Sequence, residues 1–223
     1  MKMNSHLRAF IAVLFASQLL LTACLKGDPE IPVAQSAVFK HAAIAADHPV
    51  STEIGLKVLQ QGGNAFDAAV AVQFALAVSY PGAGNIGGGG FAVLRTAAGE
   101  IAALDFRETA PRAASRDMYL DPDGDVVPGV SLKGHLAVGV PGSVDGMVQL
   151  HQRYGQLEWQ DVVQPAIDLA RNGFRLTAGQ AAKFNSHREA LIDQNRFLPP
   201  MVSSDRPWQE DDLVVQTDLA ATL

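Results

Sequence analysis

The spacing of apolar residues first predicts a helix after position 49. Three apolar side chains share one helical face: Ile54, Val58 and Leu59. Ser51 or Thr52 can cap its start, and Gly62 and Gly63 should end it. The short apolar run over residues 42–49, just before it, predicts a buried strand.

A second helix follows, and its pattern is different. Asn64 can cap it, and Asp67 lies in the first turn, where a carboxylate is favourable. From Ala65 to Val78 the sequence is apolar nearly all round. This helix should therefore be buried on more than one side.

The next pattern of apolar and turn residues is that of a β-hairpin. The segments "FAVLRT" and "EIAALDF" flank a turn that contains Gly99. Both strands are largely apolar, so both faces are expected to be covered. A two-stranded hairpin is not a stable sheet alone, and too few further strands are visible in this sequence. Residues 107–135 are predicted to be irregular, with "DPDG" as a turn.

The rest of the chain has a helical pattern. Ser143 is predicted to cap a helix that Gly155 closes. Two short helices should follow, with Pro165 as the first residue of the second. Thr177 should cap another helix, and Thr217 the last one. The fold class is α+β.

The first 24 residues resemble an export signal. A short positive segment precedes the apolar residues 9–21, which are too few to span a membrane comfortably. Small residues then lead to Cys24, the only cysteine. We expect a lipoprotein signal at residues 1–24, with Cys24 lipidated, although an ordinary secretory signal remains the alternative. The protein is then exported to the periplasm or cell envelope, and residues 25–40 form a flexible tether before the domain at 41–223.

Several functions are disfavoured by composition and motif. The net charge of -6 and the absence of a Lys/Arg run argue against a nucleic-acid surface. The glycines of 84–90 lack the lysine and following helix of a phosphate loop, and no cofactor is expected. No histidine pair or cysteine cluster predicts a metal site. Pro141 stands where a serine nucleophile elbow needs glycine, so Ser143 is not a predicted nucleophile.

Arg107 is the main candidate for a binding residue. It directly follows an apolar strand and stands beside Glu108. A guanidinium at the end of a strand can bind a carboxylate with two hydrogen bonds. It can equally pair with a surface acid, and the residues alone do not decide between these roles.

Five blocks together resemble the γ-glutamyltransferase (γ-glutamyltranspeptidase) family. They are "GGNAFDAAVAV", "GNIGGGGF", "DFRETAP", "PGSVDG" and "VVQPAIDLARNGF", in the family's order and spacing. The resemblance covers residue 42 to the end of the sequence and implies the first part of the large subunit. It implies an N-terminal-nucleophile hydrolase fold, an αββα sandwich, present here only in part.

The resemblance also implies a chemistry. A precursor cuts itself, and the new N-terminal threonine of the small subunit attacks the γ-glutamyl amide of glutathione or a related compound. The glutamyl group then passes to water, an amino acid or a peptide. Arg107 would bind the substrate's α-carboxylate, and Glu108 could orient Arg107. The expected partners are a γ-glutamyl compound, the small subunit and, through Cys24, a membrane.

The sequence of the glycine segment 84–90 has two interpretations. It can pack so tightly beneath the catalytic centre that side chains would collide with neighbouring backbone. It can also be a turn that needs several positive φ angles. We do not expect its glycines to be ligand contacts.

The sequence also departs from the family. It has no Thr-Thr pair and nothing like the family's self-cleavage block, so it contains no catalytic residue of its own. One alternative is a non-catalytic lipoprotein that keeps only the carboxylate-binding part of the fold. Another is a related acylase or poly-γ-glutamate hydrolase.

The 223-residue chain by itself is therefore predicted not to hydrolyse a γ-glutamyl substrate, because the attacking threonine is missing. A glutathione-analogue hydrolysis assay measures this, with a complete glutathione hydrolase as the positive control. Turnover by the purified chain would contradict the prediction.

Overall fold

The computed structural model describes residues 38–203 and 205–223. Residues 43–223 form one compact unit. Cys24, the signal at 1–24 and most of the tether at 25–40 lie outside the described residues. Within the described ranges, no helix has both the length and the apolar character needed to cross a membrane.

The first predicted helix is present, but its cap differs from the prediction. Helix α1 spans Pro49–Gln60, and His48 is its N-cap, with Nδ1 accepting from the Val50 amide at 3.3 Å. Pro49 occupies the first position, where a missing N–H costs nothing. Ser51 is instead fully buried inside the helix and bonds to Ser79. The prediction of a Ser51 or Thr52 cap was wrong.

Helix α2 confirms the prediction of an all-round buried helix. It spans Ala65–Ser79, and Asn64 and Asp67 form a capping box at its start. Nine of its residues are buried: Asp67, Ala68, Val70, Ala71, Phe74, Ala75, Ala77, Val78 and Ser79. Neighbours on several sides must therefore cover this helix, which makes it the centre of the core.

The predicted strand at residues 42–49 is not formed. No strand is assigned between residues 38 and 48, and Pro49 already belongs to α1. Ile44 packs against the core while its neighbours are more exposed. A strand needs a ladder partner, and none of the described residues pairs with this segment in a sheet or a bridge.

The hairpin is confirmed. Strands β1 (Phe91–Arg95) and β2 (Ile101–Asp105) pair antiparallel, and Gly99 takes a φ of 90° at the turn. Leu94 and Leu104 pack against the core. The opposite face is exposed in the described residues, so the expectation of two covered faces was wrong. Its large apolar side chains are Phe91 (64% exposed), Val93 (82%) and Ile101 (73%).

The segment after the hairpin is irregular, as predicted. It contains only isolated bridges and a short 3-10 helix over His135–Ala137. The "DPDG" turn is present, with the Gly124 amide donating to the Asp121 carbonyl at 3.0 Å.

The next two helices complete the core against α2. Helix α3 spans Ser143–Tyr154, and Gly155 caps it as predicted. Helix α4 runs without interruption over Trp159–Asn172, with Pro165 inside it. The prediction of two short helices was therefore wrong. Pro165 cannot donate to the carbonyl four residues earlier, and that carbonyl belongs to Asp161, an exposed residue where water can replace the lost bond.

The final elements are short. Strands β3 (Phe174–Arg175) and β4 (Leu213–Val214) form a second antiparallel pair. Helices α5 and α6 span Ala178–Ser186 and Arg188–Gln194, whereas a single helix was predicted. Thr177 caps α5 as expected.

The last helix, α7, begins at the residue that was predicted to be its cap, so that prediction was wrong by one residue. It spans Thr217–Thr222, so Thr217 is its first residue, and Gln216 holds the cap position. The Gln216 side chain donates to the Val78 carbonyl at 2.8 Å, which ties α7 to α2.

A buried polar network joins α1, α2 and α5. His48 Nε2 donates to Gln180 Oε1 at 3.2 Å, and Gln180 Nε2 donates to the Ser79 carbonyl at 2.6 Å. With Nδ1 accepting from Val50, the histidine is neutral in this arrangement. Burial lowers the pKa of His48 from its ordinary 6.5, and the hydrogen bond to Gln180 opposes this shift.

We predict that His48 makes the fold sensitive to acid. Because its folded pKa lies below the unfolded 6.5, the unfolded state binds more protons at acidic pH. The free energy of unfolding should be highest above pH 6.5 and fall as the pH drops through that value. His48→Asn keeps a capping side chain and should reduce this loss in urea titrations at several pH values. His135→Asn, at an exposed position, is the control, and equal pH slopes for the wild type and His48→Asn would contradict the prediction.

Candidate functional site

Arg107 lies on the backbone segment 106–108, directly after β2. Its amide donates to Asp105 Oδ1 at 3.0 Å, which fixes the direction in which the chain leaves the strand. The Arg107 side chain is 66% exposed and that of Glu108 is 41% exposed. Both side chains therefore point to the surface of the described unit.

The Arg107 guanidinium makes only long contacts within the described residues. Its Nε lies 4.0 Å from Glu108 Oε2, and its Cζ lies 5.8 Å from the centre of the Phe91 ring. An exposed ion pair of this length contributes little to stability. Most of the guanidinium donors are thus available to a ligand.

Arg107 does not line an apolar cavity that the described residues form beside helix α5. A cavity of ≈ 460 Å³ lies between residues 80–82 and helices α5 and α6, and its walls include Phe184 and Met201 but not Arg107. The Arg107 guanidinium is therefore not enclosed by this cavity.

One side of segment 106–108 rests on the glycine loop, residues 84–90. A Cβ on Gly89 would lie 2.6 Å from the Phe106 carbonyl oxygen and 2.7 Å from Arg107 Cα. A Cβ on Gly90 would lie 2.9 Å from the Phe106 ring. None of the loop's glycines has a positive φ. The interpretation of tight packing is confirmed, and that of positive φ angles was wrong.

The other side of the segment rests on the start of α3. A Cβ on Gly142 would overlap the Phe106 carbonyl, and one on Gly146 would overlap the Phe106 side chain. This second wall was not predicted, although both glycines occur in the block "PGSVDG". Their spacing of four residues puts both on one side of the helix start.

Backbone and side-chain hydrogen bonds join the two walls. The Gly88 carbonyl accepts from the Gly142 amide at 2.8 Å and from the Ser143 amide at 3.0 Å. Ser143 Oγ donates to Asn85 Oδ1 at 3.1 Å. Ser143 is therefore not the helix cap that was predicted. Gly142 holds the cap position, and Ser143 is buried where the two walls meet. We call this contact between the glycine loop and the start of α3 the joint.

Asp67 is a second buried polar group, and its contacts are structural. It is fully buried and accepts from the amides of Asn64 at 2.9 Å and Gln156 at 3.0 Å. His151 Nε2 lies 3.7 Å away. Asp67 thus ties the start of α2 to the loop between α3 and α4. Among residues 38–203 and 205–223, no group of three His, Cys, Asp or Glu side chains could hold a metal ion.

Comparison with known proteins identifies the family. The family model described as gamma-glutamyltranspeptidase matches residues 51–223. The chain belongs to the gamma-glutamyltranspeptidase family. It is 46% identical over 181 residues to the glutathione hydrolase proenzyme of Pseudomonas sp. (strain A14) and 41% identical over 185 residues to that of Escherichia coli (strain K12).

The similarity to solved structures confirms the predicted fold class. The Helicobacter pylori gamma-glutamyltranspeptidase superposes with a TM-score of 0.76 at 46% identity, over 84% of this chain and 54% of that one. The described residues are part of an N-terminal-nucleophile hydrolase fold. The matches cover 81% and 82% of this chain but only 31% and 32% of the two curated relatives, about a third of their length.

We predict that Gly89→Ala destabilises the chain, because three backbone atoms of residues 106–108 lie within 2.7 Å of the new methyl. The expected loss of unfolding free energy is about 1–3 kcal/mol, as for overpacking in a core. Urea denaturation measures it. Gly87→Ala in the same loop is the matched control, because a Cβ there meets nothing within 4 Å. Equal midpoints for the two variants would contradict the prediction.

Proposed function

We propose that this chain supplies the carboxylate-binding part of an enzyme that cleaves the γ-glutamyl amide of glutathione or a similar compound. Arg107 binds the α-carboxylate of the glutamyl group. The observation that carries the proposal is an exposed guanidinium, without a bidentate partner among the described residues, on a backbone segment enclosed by glycines.

The chemistry of Arg107 suits this role. Its planar guanidinium can give two parallel N–H bonds to a carboxylate, which fixes orientation as well as position. The Phe91 ring lies under its cationic end, and Glu108 stands on the Nε side. Glu108 can therefore orient the guanidinium while leaving its terminal nitrogens for the substrate.

Hydrolysis requires a second polypeptide of the same precursor. The N-terminal threonine of that polypeptide attacks the carbonyl of the γ-glutamyl amide. The α-amine of the same threonine takes the hydroxyl proton and gives it to the leaving amine. Water or an acceptor amine then attacks the resulting ester and releases the threonine. Relatives of this chain are named proenzymes, which supports a processed partner.

The exposed face of the β1–β2 hairpin supports the proposed small subunit as partner. Phe91, Val93 and Ile101 expose apolar surface on one side of a two-stranded sheet. Further strands would stabilise such a sheet, and a cover would bury its exposed apolar face. A subunit that completes the sheet would also provide the missing walls around Arg107.

The signal sequence supports an exported enzyme. Cys24 follows an apolar segment and small residues, which is the arrangement of a lipid-attachment site. We propose that a lipid on Cys24 anchors the protein in the cell envelope, so that it meets γ-glutamyl compounds outside the cytoplasm.

Arg107→Lys tests the substrate role. Residues 51–223 replace the matching region of the Pseudomonas sp. (strain A14) proenzyme, which supplies the catalytic remainder. The variant keeps the charge but loses one of two parallel bonds, so KM for glutathione should rise roughly ten- to a hundredfold. Steady-state kinetics measure the change.

Arg116→Lys is the matched control, because the Arg116 side chain is 91% exposed and pairs with neighbouring Asp117. Its KM should equal that of the parent chimera. An unchanged KM in Arg107→Lys would show that Arg107 has a structural role only.

A further inference from the structure

We propose that Ser143 and Asn85 are positioning residues for Arg107. Their hydrogen bond holds together the two glycine walls around segment 106–108, and so sets where the guanidinium meets the substrate carboxylate. This inference rests on the proposed carboxylate-binding role of Arg107 and goes beyond it.

The side-chain contacts of Arg107 are too weak to fix its position. The ion pair with Glu108 is 4.0 Å long, and the Phe91 ring offers a broad face rather than a directed bond. The position of the guanidinium therefore depends mainly on where the backbone holds its Cα. That backbone is held by packing against glycines on two sides.

The two walls come from distant parts of the sequence, and few bonds join them. One wall is the glycine loop, and the other is the start of α3. Their backbones meet where the Gly88 carbonyl accepts two amides, from Gly142 and Ser143. Within the described residues, the side chains of the two walls are joined by the hydrogen bond from Ser143 to Asn85, which are 58 positions apart.

The environment of this bond suits a positioning role. Ser143 is 2% exposed, so water does not readily replace its partner. Asn85 is itself fixed, because its Nδ2 donates to the Ala83 carbonyl at 3.0 Å and leaves Oδ1 directed at Ser143. Its side chain also covers Gly88, where a Cβ would meet the Asn85 amide group. Loss of the Ser143 hydroxyl leaves the partly buried Asn85 acceptor without this donor and loosens the joint.

The first test uses amide hydrogen exchange in the 223-residue chain to measure how well the joint protects nearby amides. The Phe106 amide donates to the Gly90 carbonyl at 3.0 Å, and the Thr109 amide to the Val140 carbonyl at 3.2 Å. Ser143→Ala should speed exchange at both amides roughly three- to tenfold, in line with the loss of one buried bond. Ser186→Ala, which removes an exposed hydroxyl on α5, is the control and should change neither. Unchanged protection in Ser143→Ala would overturn the inference.

The second test asks whether the joint acts through Arg107. In the chimera with the strain A14 proenzyme, Ser143→Ala should raise KM for glutathione roughly three- to tenfold, with a smaller effect on kcat. A donor that lacks the α-carboxylate, a 4-aminobutanoyl amide, should show no change in kcat/KM. Asn85→Ala with Ser143→Ala should cost less than the sum of the two single variants, because both remove the same bond.

The outcomes separate this inference from the function on which it rests. If Arg107→Lys impairs only the donor with the α-carboxylate while Ser143→Ala impairs both donors equally, Ser143 is merely structural and the inference is wrong. If Arg107→Lys affects neither donor, the proposed function fails, and the inference fails with it. If both variants impair only the donor with the α-carboxylate, the proposed function and the inference are both supported.

Discussion

The close approach of three backbone segments governs this structure. The segment that carries Arg107 lies between the glycine loop and the start of α3, at distances that leave no room for a Cβ on either side. Glycine is therefore required here by packing, because none of the loop's glycines has the positive φ that other residues avoid. Ordering these glycines costs conformational entropy. The result is a rigid support for one cationic side chain.

Helix α2 connects this support to the core. Its buried surface packs against α1, α3 and α4, and its C-terminal end leads into the glycine loop through residues 80–83. Gly84 lies against the backbone of Leu76 in the last turn of α2, which fixes where the loop begins. The Gln180 bond to the Ser79 carbonyl holds the same end from α5. The core thus determines the position of the loop, and the loop determines the position of segment 106–108.

Local signals predicted well where the interaction itself is local. The capping box of Asn64 and Asp67 joins residues three apart, and the Gly99 turn needs one positive φ, so both could be read from the sequence. The His48 cap could not, because its ring is fixed by Gln180, 132 positions away. Pro165 lies inside a helix because tertiary packing of α4 outweighs a lost bond.

The candidate site shows the same difference between local and long-range interactions. Arg107 and Glu108 could be named from the sequence because they follow a predicted strand and match a family block. The second glycine wall and the Ser143–Asn85 bond could not, since each depends on segments that meet only in three dimensions. Ser143 looked like a helix cap because a serine before a helical pattern usually is one.

The arrangement of Arg107 suits the carboxylate ligand that we propose for it. A guanidinium that was already paired with a buried carboxylate would have to break that pair before it could bind a substrate acid. A guanidinium on a flexible loop would lose conformational entropy on binding. Arg107 avoids the first cost because its side chain is exposed and weakly paired, and it avoids the backbone part of the second because glycine packing fixes its backbone. An exposed side chain on a rigid backbone is what a preorganised carboxylate site needs before the remaining walls are added.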